Sequence, residues 1–434
     1  MKKIFVLSFV LVLLVLNFSA CTASQPDISD DLTYEEYPTQ VFPEECPVHM
    51  GEGITEEVLE VPRSEEEYSE IIIQLPYTYI QPGEIAMGHI QFMSDYLYAR
   101  TPFTYRELEA AHWIVETLLD IGYDEADIQV QEFSREDAMS VLPITDCGPL
   151  IEAIYAHAGD RETRNYSQNV ILTIPGESEQ VIIVGAHYDT WAFPGAVDNA
   201  SGVALLLESA QRIRDMEPYH TIIYIFFGAE EIGLLGARYY LSTLSEEEQE
   251  NILFMLNADL LFEGPYLVYT PGVMITGVRQ HGLVGENRIT RAWDAIAYEL
   301  STIHDDLEFI SYPEGLGRFF SDHYVFYVAE IPVIMFSGMY IRGDGTVSLR
   351  PFLFTWEYHE DGTPYARWSE TDHEDAFIIY SGILHGSMDC FHFINYHFPG
   401  KMERAMWGYA LFLEAILMQD YSCHSGVLSI HCEP

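Results

Sequence analysis

Acidic residues and a histidine follow short apolar runs of this chain, and these residue types bind divalent metals. One β-branched run leads into His187 and Asp189, and a second apolar run leads into Glu230 and Glu231. Imidazole nitrogen and carboxylate oxygen are the usual zinc ligands besides cysteine. Two adjacent buried glutamates repel each other unless cations or a proton lie between them. The pattern therefore predicts a hydrolytic site built around two metal ions.

The residue types also suggest a division of roles. His187 is a suitable terminal ligand, and Asp189 is expected to hydrogen-bond its ring and fix the tautomer, which supports catalysis without ligation. Glu231 is expected to be a ligand and Glu230 the general base that activates water. Asp198 lies in a turn of small residues, and its two carboxylate oxygens allow it to bridge two ions.

Two more ligands come from later segments of the chain. A third apolar run, Ile252 to Leu256, leads into Asn257 and Asp259. Near the carboxyl end, His385 offers a second imidazole, with Asp389 four residues later. Because the carboxyl ends of parallel strands lie at one edge of a sheet, the three runs predict that the polar side chains that follow them meet there.

The elements around these residues alternate between strand and helix. This alternation predicts one α/β domain with a mostly parallel central sheet flanked by helices. The expected strands are 181–184, 221–227 and 252–256, and the expected helices are 104–122, 201–215, 234–244, 287–300, 324–328 and 401–418.

Five motifs give the chain a family resemblance over roughly residues 90 to 420. They are His187-Tyr188-Asp189, Asp198 to Gly202, Ala229-Glu230-Glu231, Asn257-Ala258-Asp259 and Ser321-Asp322-His323. On these motifs the chain resembles the co-catalytic di-zinc exopeptidases, a family that includes bacterial leucyl aminopeptidases, glutamate carboxypeptidase and glutaminyl cyclases.

The resemblance implies a ligand set and a reaction. One zinc ion would be held by His187 and Asp259, the other by Glu231 and His385, and Asp198 would bridge them. The implied reaction is hydrolysis of a peptide bond at a chain end by a zinc-activated water, with Glu230 taking and returning the proton.

Some segments depart from the family pattern. Glycine and cysteine replace the usual threonines after His385 and Asp389, and His359 and His373 are rival histidines without a matching aspartate. The Gly-Ser signature expected near the first helix is not evident around residues 100–104. An insertion of about residues 339–383 is expected, with a β-hairpin at 355–365 that borders the cleft and limits substrate length.

Two residues beside these motifs have alternative interpretations. His323 either hydrogen-bonds near the site or is a buried histidine that begins a short helix. Arg318 either holds a substrate carboxylate or forms an ordinary surface ion pair.

The amino-terminal segment has the features of an export signal. Met1 to Leu16 combines a basic start with an apolar run, and Cys21 follows a lipobox-like sequence. We expect a lipoprotein signal peptide at 1–20, an acidic tether and extension at 21–75, and a catalytic domain at 76–434. Lipid on Cys21 would anchor the protein to the outer face of a bacterial membrane. A plain signal peptide cut near Ala20, or an uncleaved anchor, is the alternative.

Charge and cysteine content limit the function further. The formal net charge is −48, from 68 acidic and 20 basic residues, and this argues against binding to nucleic acid because phosphates would be repelled. Five cysteines remain after Cys21, so they cannot all pair with one another. Cys423 and Cys432 either close a short terminal loop or, with neighbouring histidines, form a small zinc site.

These observations favour a secreted, membrane-tethered zinc aminopeptidase that acts on peptides. The alternatives are a glutaminyl cyclase that uses one zinc ion, a carboxypeptidase of the same fold, and an inactive binding module on the cell surface. Sequence does not determine the preferred terminal residue, the physiological metal or the oligomeric state.

Overall fold

The computed structural model describes residues 81–141, 163–262, 266–271, 288–311, 321–341, 347–348, 354–358, 364–368 and 388–421. Within these residues, nine strands form one sheet. They are β1 (Ile128–Ser134), β2 (Tyr166–Ile174), β3 (Ser178–His187), β4 (His220–Phe227), β5 (Ile252–Ala258), β6 (Tyr266–Pro271), β7 (Phe309–Ser311), β8 (Val333–Ile341) and β9 (Val347–Ser348).

The sheet has a parallel centre and antiparallel flanks. Its order is β1-β2-β4-β3-β5-β8-β6-β7, and β9 pairs with β8. Strands β4, β3, β5 and β8 run parallel to one another. Strand β2 is antiparallel to β4, and β6 is antiparallel to β8. The carboxyl ends of the four central strands therefore lie at one edge, as the apolar runs predicted.

Helices cover both faces of the sheet. In chain order they are α1 (Glu84–Tyr96), α2 (Tyr105–Ile121), α3 (Arg135–Val141), α4 (Ser201–Ile213), α5 (Leu235–Thr243), α6 (Glu246–Glu250), α7 (Arg288–Ile303), α8 (His323–Val328), α9 (Phe391–His397) and α10 (Lys401–Leu417). Helix α4 packs on β3 and β5 and contacts α1 and α10, whereas α8 packs on β5 and β8 and contacts α5.

Residues of the central strands divide between two separate cores. In β3, Ile182 and Val184 belong to the large core with α1, α2, α4, α7 and α10. Their neighbour Ile183 belongs to a second core with α5 and α8. Since both faces of the sheet are buried, the central strands are continuous apolar runs rather than alternating ones. The α/β class predicted from sequence is confirmed.

The predicted helices are confirmed with small shifts of their ends. Helix α2 begins after Thr104, whose hydroxyl accepts a hydrogen bond from the Glu107 N–H, and ends at Gly122, which has a left-handed φ of 105°. Threonine is favoured at the first position because its hydroxyl accepts from a terminal N–H group. Glycine is favoured at the second because it adopts a left-handed conformation, in which its own N–H reaches the terminal carbonyls. Strand β3 is longer than predicted, so His187 is its last residue rather than part of the following loop.

The predicted hairpin is also present. Strand β10 (Phe354–Tyr358) pairs antiparallel with β11 (Pro364–Trp368). Its suggested role at the cleft stays a prediction, as does the 339–383 insertion, which the described residues cover only in part. The signal peptide, the Cys21 anchor and the acidic tether lie outside the described residues. Within the described part of the chain, no helix combines the length and the apolar character that a membrane span requires.

A buried carboxylate attaches α1 to the domain. Glu208 of α4 is fully buried, and its two oxygens accept hydrogen bonds from the N–H groups of Gly83 at 2.5 Å and Ala86 at 2.8 Å. These donors belong to the first turn of α1, where N–H groups have no partner within the helix. Helix α1 in turn contacts the 196–200 turn that carries Asp198. Glu208 therefore helps to place one wall of the site.

Replacing Glu208 by alanine should lower the free energy of unfolding by about 1–3 kcal/mol, because two buried N–H groups would lose their acceptor. Chemical denaturation monitored by circular dichroism measures this loss. The control is Glu116→Ala on the exposed face of α2, which should change stability by less than about 0.5 kcal/mol. Equal stability of the two variants would contradict the assigned role of Glu208.

Candidate metal centre

Three buried side chains converge at the carboxyl edge of the sheet. His187 Nε2 lies 3.1 Å from Asp198 Oδ1 and 3.5 Å from Asp259 Oδ1. One ligand atom from each residue lies within 4.8 Å of the other two. His187 ends β3 and Asp259 follows β5, and these strands are parallel neighbours. The register of the sheet thus brings together residues that are 72 positions apart in the chain.

The turn that carries Asp198 is held by another aspartate. The Asp389 carboxylate accepts hydrogen bonds from the N–H groups of Val197 at 2.6 Å and Asp198 at 3.2 Å. The side-chain amide of Asn199 donates to the Ala258 carbonyl at 2.9 Å, next to Asp259. These contacts fix the main chain on both sides of the Asp198 carboxylate.

Gly202 permits this turn to lie close to β5. A Cβ atom at this position would lie 2.2 Å from the Ala258 carbonyl oxygen, which is much closer than two such atoms can approach. The backbone of α4 can therefore meet the end of β5 only where a residue has no side chain. The glycine of the Asp198–Gly202 motif thus brings Asp198 near Asp259.

Asp189 organises the two glutamates. Its Oδ1 accepts a hydrogen bond from the Glu230 N–H at 3.0 Å, and its Oδ2 accepts one from the Glu231 N–H at 3.1 Å. The preceding N–H, that of Ala229, donates to the buried Glu107 carboxylate at 3.1 Å. Three consecutive N–H groups are therefore fixed by two carboxylates, and this sets the course of the turn that bears Glu230 and Glu231.

The predicted contact between Asp189 and His187 takes a different form. His187 Nδ1 lies 3.1 Å from the main-chain oxygen of Asp189 and 3.6 Å from its carboxylate Oδ1. The hydrogen-bond partner of the ring is thus the carbonyl, because the carboxylate is turned toward the Glu230 and Glu231 N–H groups. A proton on Nδ1 leaves Nε2 to face Asp198 and Asp259, which is the tautomer a metal ligand needs.

A buried arginine braces the loop between His187 and Asp198. The side chain of Arg100 is fully buried, and Nε donates to the Tyr188 carbonyl at 2.6 Å. Its Nη1 donates to the Pro194 carbonyl at 2.9 Å, and Nη2 donates to the Gly195 carbonyl at 3.2 Å. The fixed fork of a guanidinium suits several carbonyls at once. Burial lowers the pKa of Arg100 to about 10, against the opposing effect of nearby acids, so it is charged at neutral pH.

The centre is crowded with negative charge. Seven carboxylate residues in and around it are less than 9% exposed: Glu107, Asp189, Asp198, Glu231, Asp259, Asp322 and Asp389. Glu230 is half-buried. Among the described residues, two arginines are as deeply buried, Arg100 and Arg238. Of these two, Arg100 interacts electrostatically with four of the carboxylates, namely Asp389, Asp189, Asp198 and Glu231.

This crowding shifts the pKa values of the central groups. Burial, and then the charge of Asp198, raise the pKa of Glu231 well above its usual range. Burial also raises the pKa of Glu230, although the charge of His187 opposes the shift. Burial lowers the pKa of His187, but Glu230 and the adjoining aspartates outweigh this effect, so that its pKa lies well above 6.5. Without a cation, the buried negative charge of the cluster favours the protonated forms of these groups.

The Ser321-Asp322-His323 motif lies beside the centre. His323 begins α8, is buried, and places Nδ1 3.4 Å from the Asn257 side-chain amide. Burial lowers its pKa to about 3, so the ring is neutral. This placement favours the interpretation of His323 as a buried structural histidine. Asp322 is fully buried, and among the described residues neither carboxylate oxygen has a hydrogen-bond partner.

Two predicted residues lie outside the described residues, namely His385 and Arg318. Sequence reasoning gave no role to Arg100, Glu107, Trp191 or Asp389. Of these, Glu107 had a local signal, because a threonine three residues before a glutamate is the capping-box pattern. Asp389 had been noted only as a motif neighbour of His385. The long-range contacts of Arg100 and Trp191 had no signal in sequence.

The donor set fits a zinc-type ion. It offers one imidazole nitrogen and several carboxylate oxygens, which are zinc ligands. Asp259 Oδ1 is buried and has no hydrogen-bond partner among the described residues, although it lies 3.5 Å from His187 Nε2. A buried carboxylate in this state is costly unless a proton or a cation is present. The residues His187, Asp198 and Asp259 are therefore suited to hold a metal ion together.

Comparison with known proteins agrees with this chemistry. The chain is 39% identical over 103 residues to the aminopeptidase YwaD of Bacillus subtilis, which is 23% of each chain. It is 39% identical over 99 residues to the probable lipoprotein aminopeptidase LpqL of Mycobacterium tuberculosis, which is 22% of this chain and 20% of that protein. The matched segments thus span less than a quarter of either relative.

Solved structures share the fold. The zinc aminopeptidase BSAP from Bacillus subtilis aligns with a TM-score of 0.51 at 17% identity, over 78% of this chain and 95% of that one. A glutaminyl cyclase from an Acidobacteriales bacterium aligns with a TM-score of 0.50 at 18% identity, over 79% and 97%.

The family itself is established by a longer match. The profile of peptidase family M28 matches residues 169–402, which is more than half of the chain. This range includes the ends of β3, β4 and β5, where His187, Glu230, Glu231 and Asp259 lie, and the turn of Asp198. The chain therefore belongs to peptidase family M28.

Proposed function

We propose that this protein is a zinc-dependent aminopeptidase that removes residues from the amino terminus of peptides. The observation that carries the proposal is the buried convergence of His187, Asp198 and Asp259 beside the Glu230–Glu231 turn. A metal cluster next to a carboxylate that can accept a proton is the arrangement needed for hydrolysis by an activated water. Membership of peptidase family M28 makes a peptide the expected substrate.

We propose that the metal centre holds two zinc ions. His187 and Asp259 would hold one ion, Glu231 and His385 the other, and Asp198 would serve both. The assignment of His385 rests on the family resemblance. The charge balance supports two ions, because among the described residues seven buried carboxylates in and around the centre face one nearby buried arginine. A single divalent cation would leave most of this charge uncompensated at a buried site, which is costly.

Glu230 is the proposed general base. When bound, zinc would supply a Lewis acid that polarises the peptide carbonyl and lowers the pKa of water. Glu230 is half-buried, so it is partly accessible to a water or a peptide. A carboxylate in this position could accept a proton from water and later return it to the leaving amine. The Asp189 contact with its N–H keeps the residue in place.

The sign of the charge favours the amino end of a peptide over the carboxyl end. A protonated α-amine is attracted by acidic groups, whereas a terminal carboxylate is repelled by them. Within the described part of the centre, Arg100 is the nearby buried cation, and its guanidinium donors are directed at main-chain carbonyls. It is therefore not placed to receive a substrate carboxylate. This supports aminopeptidase rather than carboxypeptidase activity.

The proposed location is the outer face of a bacterial membrane, with a lipid anchor at Cys21. Two observations support it: the lipoprotein-like signal at 1–20, and the similarity to a relative described as a probable lipoprotein aminopeptidase. Labelling of growing cells with a fatty-acid analogue tests the anchor, because Cys21→Ser should abolish incorporation.

The role of Glu230 predicts the behaviour of Glu230→Gln. This variant should bind as much zinc as the wild type but hydrolyse a free-amine peptide about 10²–10⁴-fold more slowly, since amide oxygen is a poor base. Metal analysis and a peptide assay measure the two quantities. The control, Glu246→Gln on exposed helix α6, should be fully active.

Two results of the same assay would contradict the proposal. One is near-normal activity of Glu230→Gln, and the other is equal hydrolysis of free-amine and amino-blocked peptides by the wild type. Cyclisation of amino-terminal glutamine with no hydrolysis would show a glutaminyl cyclase instead.

The raised pKa values predict that zinc binding releases protons. The pKa values of Glu231, Asp259 and His187 are raised in the metal-free protein, and each group must be deprotonated at its ligand atom to bind zinc. Zinc affinity should therefore increase as pH is raised from about 5 to about 8. Calorimetric titration in two buffers of different ionisation enthalpy counts the released protons. Heats that do not depend on the buffer would contradict the predicted proton release.

A further inference from the structure

Trp191 makes a direct hydrogen bond to one of the proposed metal ligands. Its indole N–H donates to Glu231 Oε2 at 2.7 Å, a short distance for such a bond. Trp191 lies four residues after His187 on the loop that leads to Asp198, and its ring is half-buried. The contact thus joins the loop after β3 to the turn after β4, which are separate segments of the chain.

The ring itself is firmly seated. Trp191 packs against the small apolar cluster that contains Phe103, Ala229 and Ile232. Its main-chain carbonyl accepts a hydrogen bond from the Thr101 hydroxyl at 3.4 Å. The donor is therefore held in position by contacts that do not involve Glu231.

Glu231 is consequently fixed at both ends. Its N–H donates to Asp189 Oδ2 at 3.1 Å, which sets the main chain, and Trp191 sets the carboxylate. The main-chain contact alone would leave the side-chain torsions of glutamate to be ordered when an ion binds, at a cost in entropy. A carboxylate that is already oriented avoids this cost.

From this geometry we infer that Trp191 is a positioning residue, which orients the Glu231 carboxylate and sets how tightly that residue holds its metal ion. The inference rests on the proposed function, because Glu231 is a ligand only under that assignment. An indole suits the role, since it donates one hydrogen bond, carries no charge and has no acceptor nitrogen that could itself bind zinc. Partners of this kind change metal affinity by about 10- to 100-fold when removed.

The effect should be confined to one of the two ions. Trp191 contacts Glu231, whereas the hydrogen bonds that hold the Asp198 turn come from Asp389 and those near Asp259 come from Asn199. Loss of the indole N–H should therefore weaken the ion assigned to Glu231 and leave the ion of His187 and Asp259 unchanged.

The test compares Trp191→Phe with Trp293→Phe. Each variant keeps an aromatic ring and loses one indole N–H, but Trp293 donates to the Tyr421 hydroxyl at 3.2 Å, and neither of these residues belongs to the centre. Zinc affinity is measured by competition with a chromophoric chelator, and folding by circular dichroism of the metal-free proteins. Trp191→Phe should lower the affinity for one ion by about 10-fold or more, while Trp293→Phe should bind both ions as the wild type does.

Unchanged affinity of Trp191→Phe for every ion would overturn the inference, and so would an equal loss in both variants. If the wild type binds one ion, the two-ion assignment fails, but a loss of affinity confined to Trp191→Phe would still support the role of Trp191. If Trp191→Phe does not fold, the wild type with Co²⁺ in place of zinc provides the test. Of its six tryptophan indole N–H signals, that of Trp191 should then be strongly shifted in the ¹⁵N spectrum by the paramagnetic Co²⁺ ion. No shifted signal would overturn the inference.

Discussion

The arrangement of this domain depends on the burial of like charges at one edge of a sheet. Carboxylates that are almost fully buried surround His187, and they would repel one another strongly in a medium less polar than water. The structure meets this cost in two ways. Main-chain N–H groups are directed at Asp189, Asp389 and Glu107, and one buried guanidinium lies nearby. The remaining charge, on Asp198, Glu231, Asp259 and Asp322, calls for cations or protons.

The edge where these charges lie is formed by the central strands of the sheet. Four parallel strands end together, and their apolar residues are buried on both faces, so the core of the sheet is formed by apolar contacts. The loops after β3, β4 and β5 are then free to carry acids. Gly202 lets the next helix approach β5, and Asp189 connects the loop after β3 to the turn after β4. The proposed ligands and the proposed base are thus held by residues that are not ligands themselves.

Much of this was predictable from sequence, for a physical reason. Apolar runs of β-branched residues predict buried strands, and each polar residue after such a run is carried to the same edge, so the approach of His187 and Asp259 needed no knowledge of their distance. The place of Asp198, in a turn of small residues, was implied by the family resemblance. Local capping patterns such as Thr104 and Gly122 gave the ends of α2. The assignment of a role to each residue is a different matter and stays a proposal.

Contacts between distant segments were not predictable. The Asp189 carboxylate was expected to bond to the ring of His187, two residues away. It accepts instead from N–H groups about 40 residues away, and the ring of His187 bonds to the Asp189 main-chain carbonyl. Arg100 and Trp191 act on the centre through contacts that depend on how loops pack together. Patterns of neighbouring residues carry no information about such packing.

The most direct measurement is anomalous diffraction at the zinc absorption edge from crystals of the metal-loaded protein. Two peaks are predicted at the carboxyl edge of the sheet. One should lie about 2.0–2.2 Å from His187 Nε2 and an Asp259 oxygen, and the other at the same distance from Glu231, with Asp198 in contact with both. A single peak without Glu231 as ligand would contradict the two-ion account. No peak in this region would contradict the assignment of a metal centre altogether.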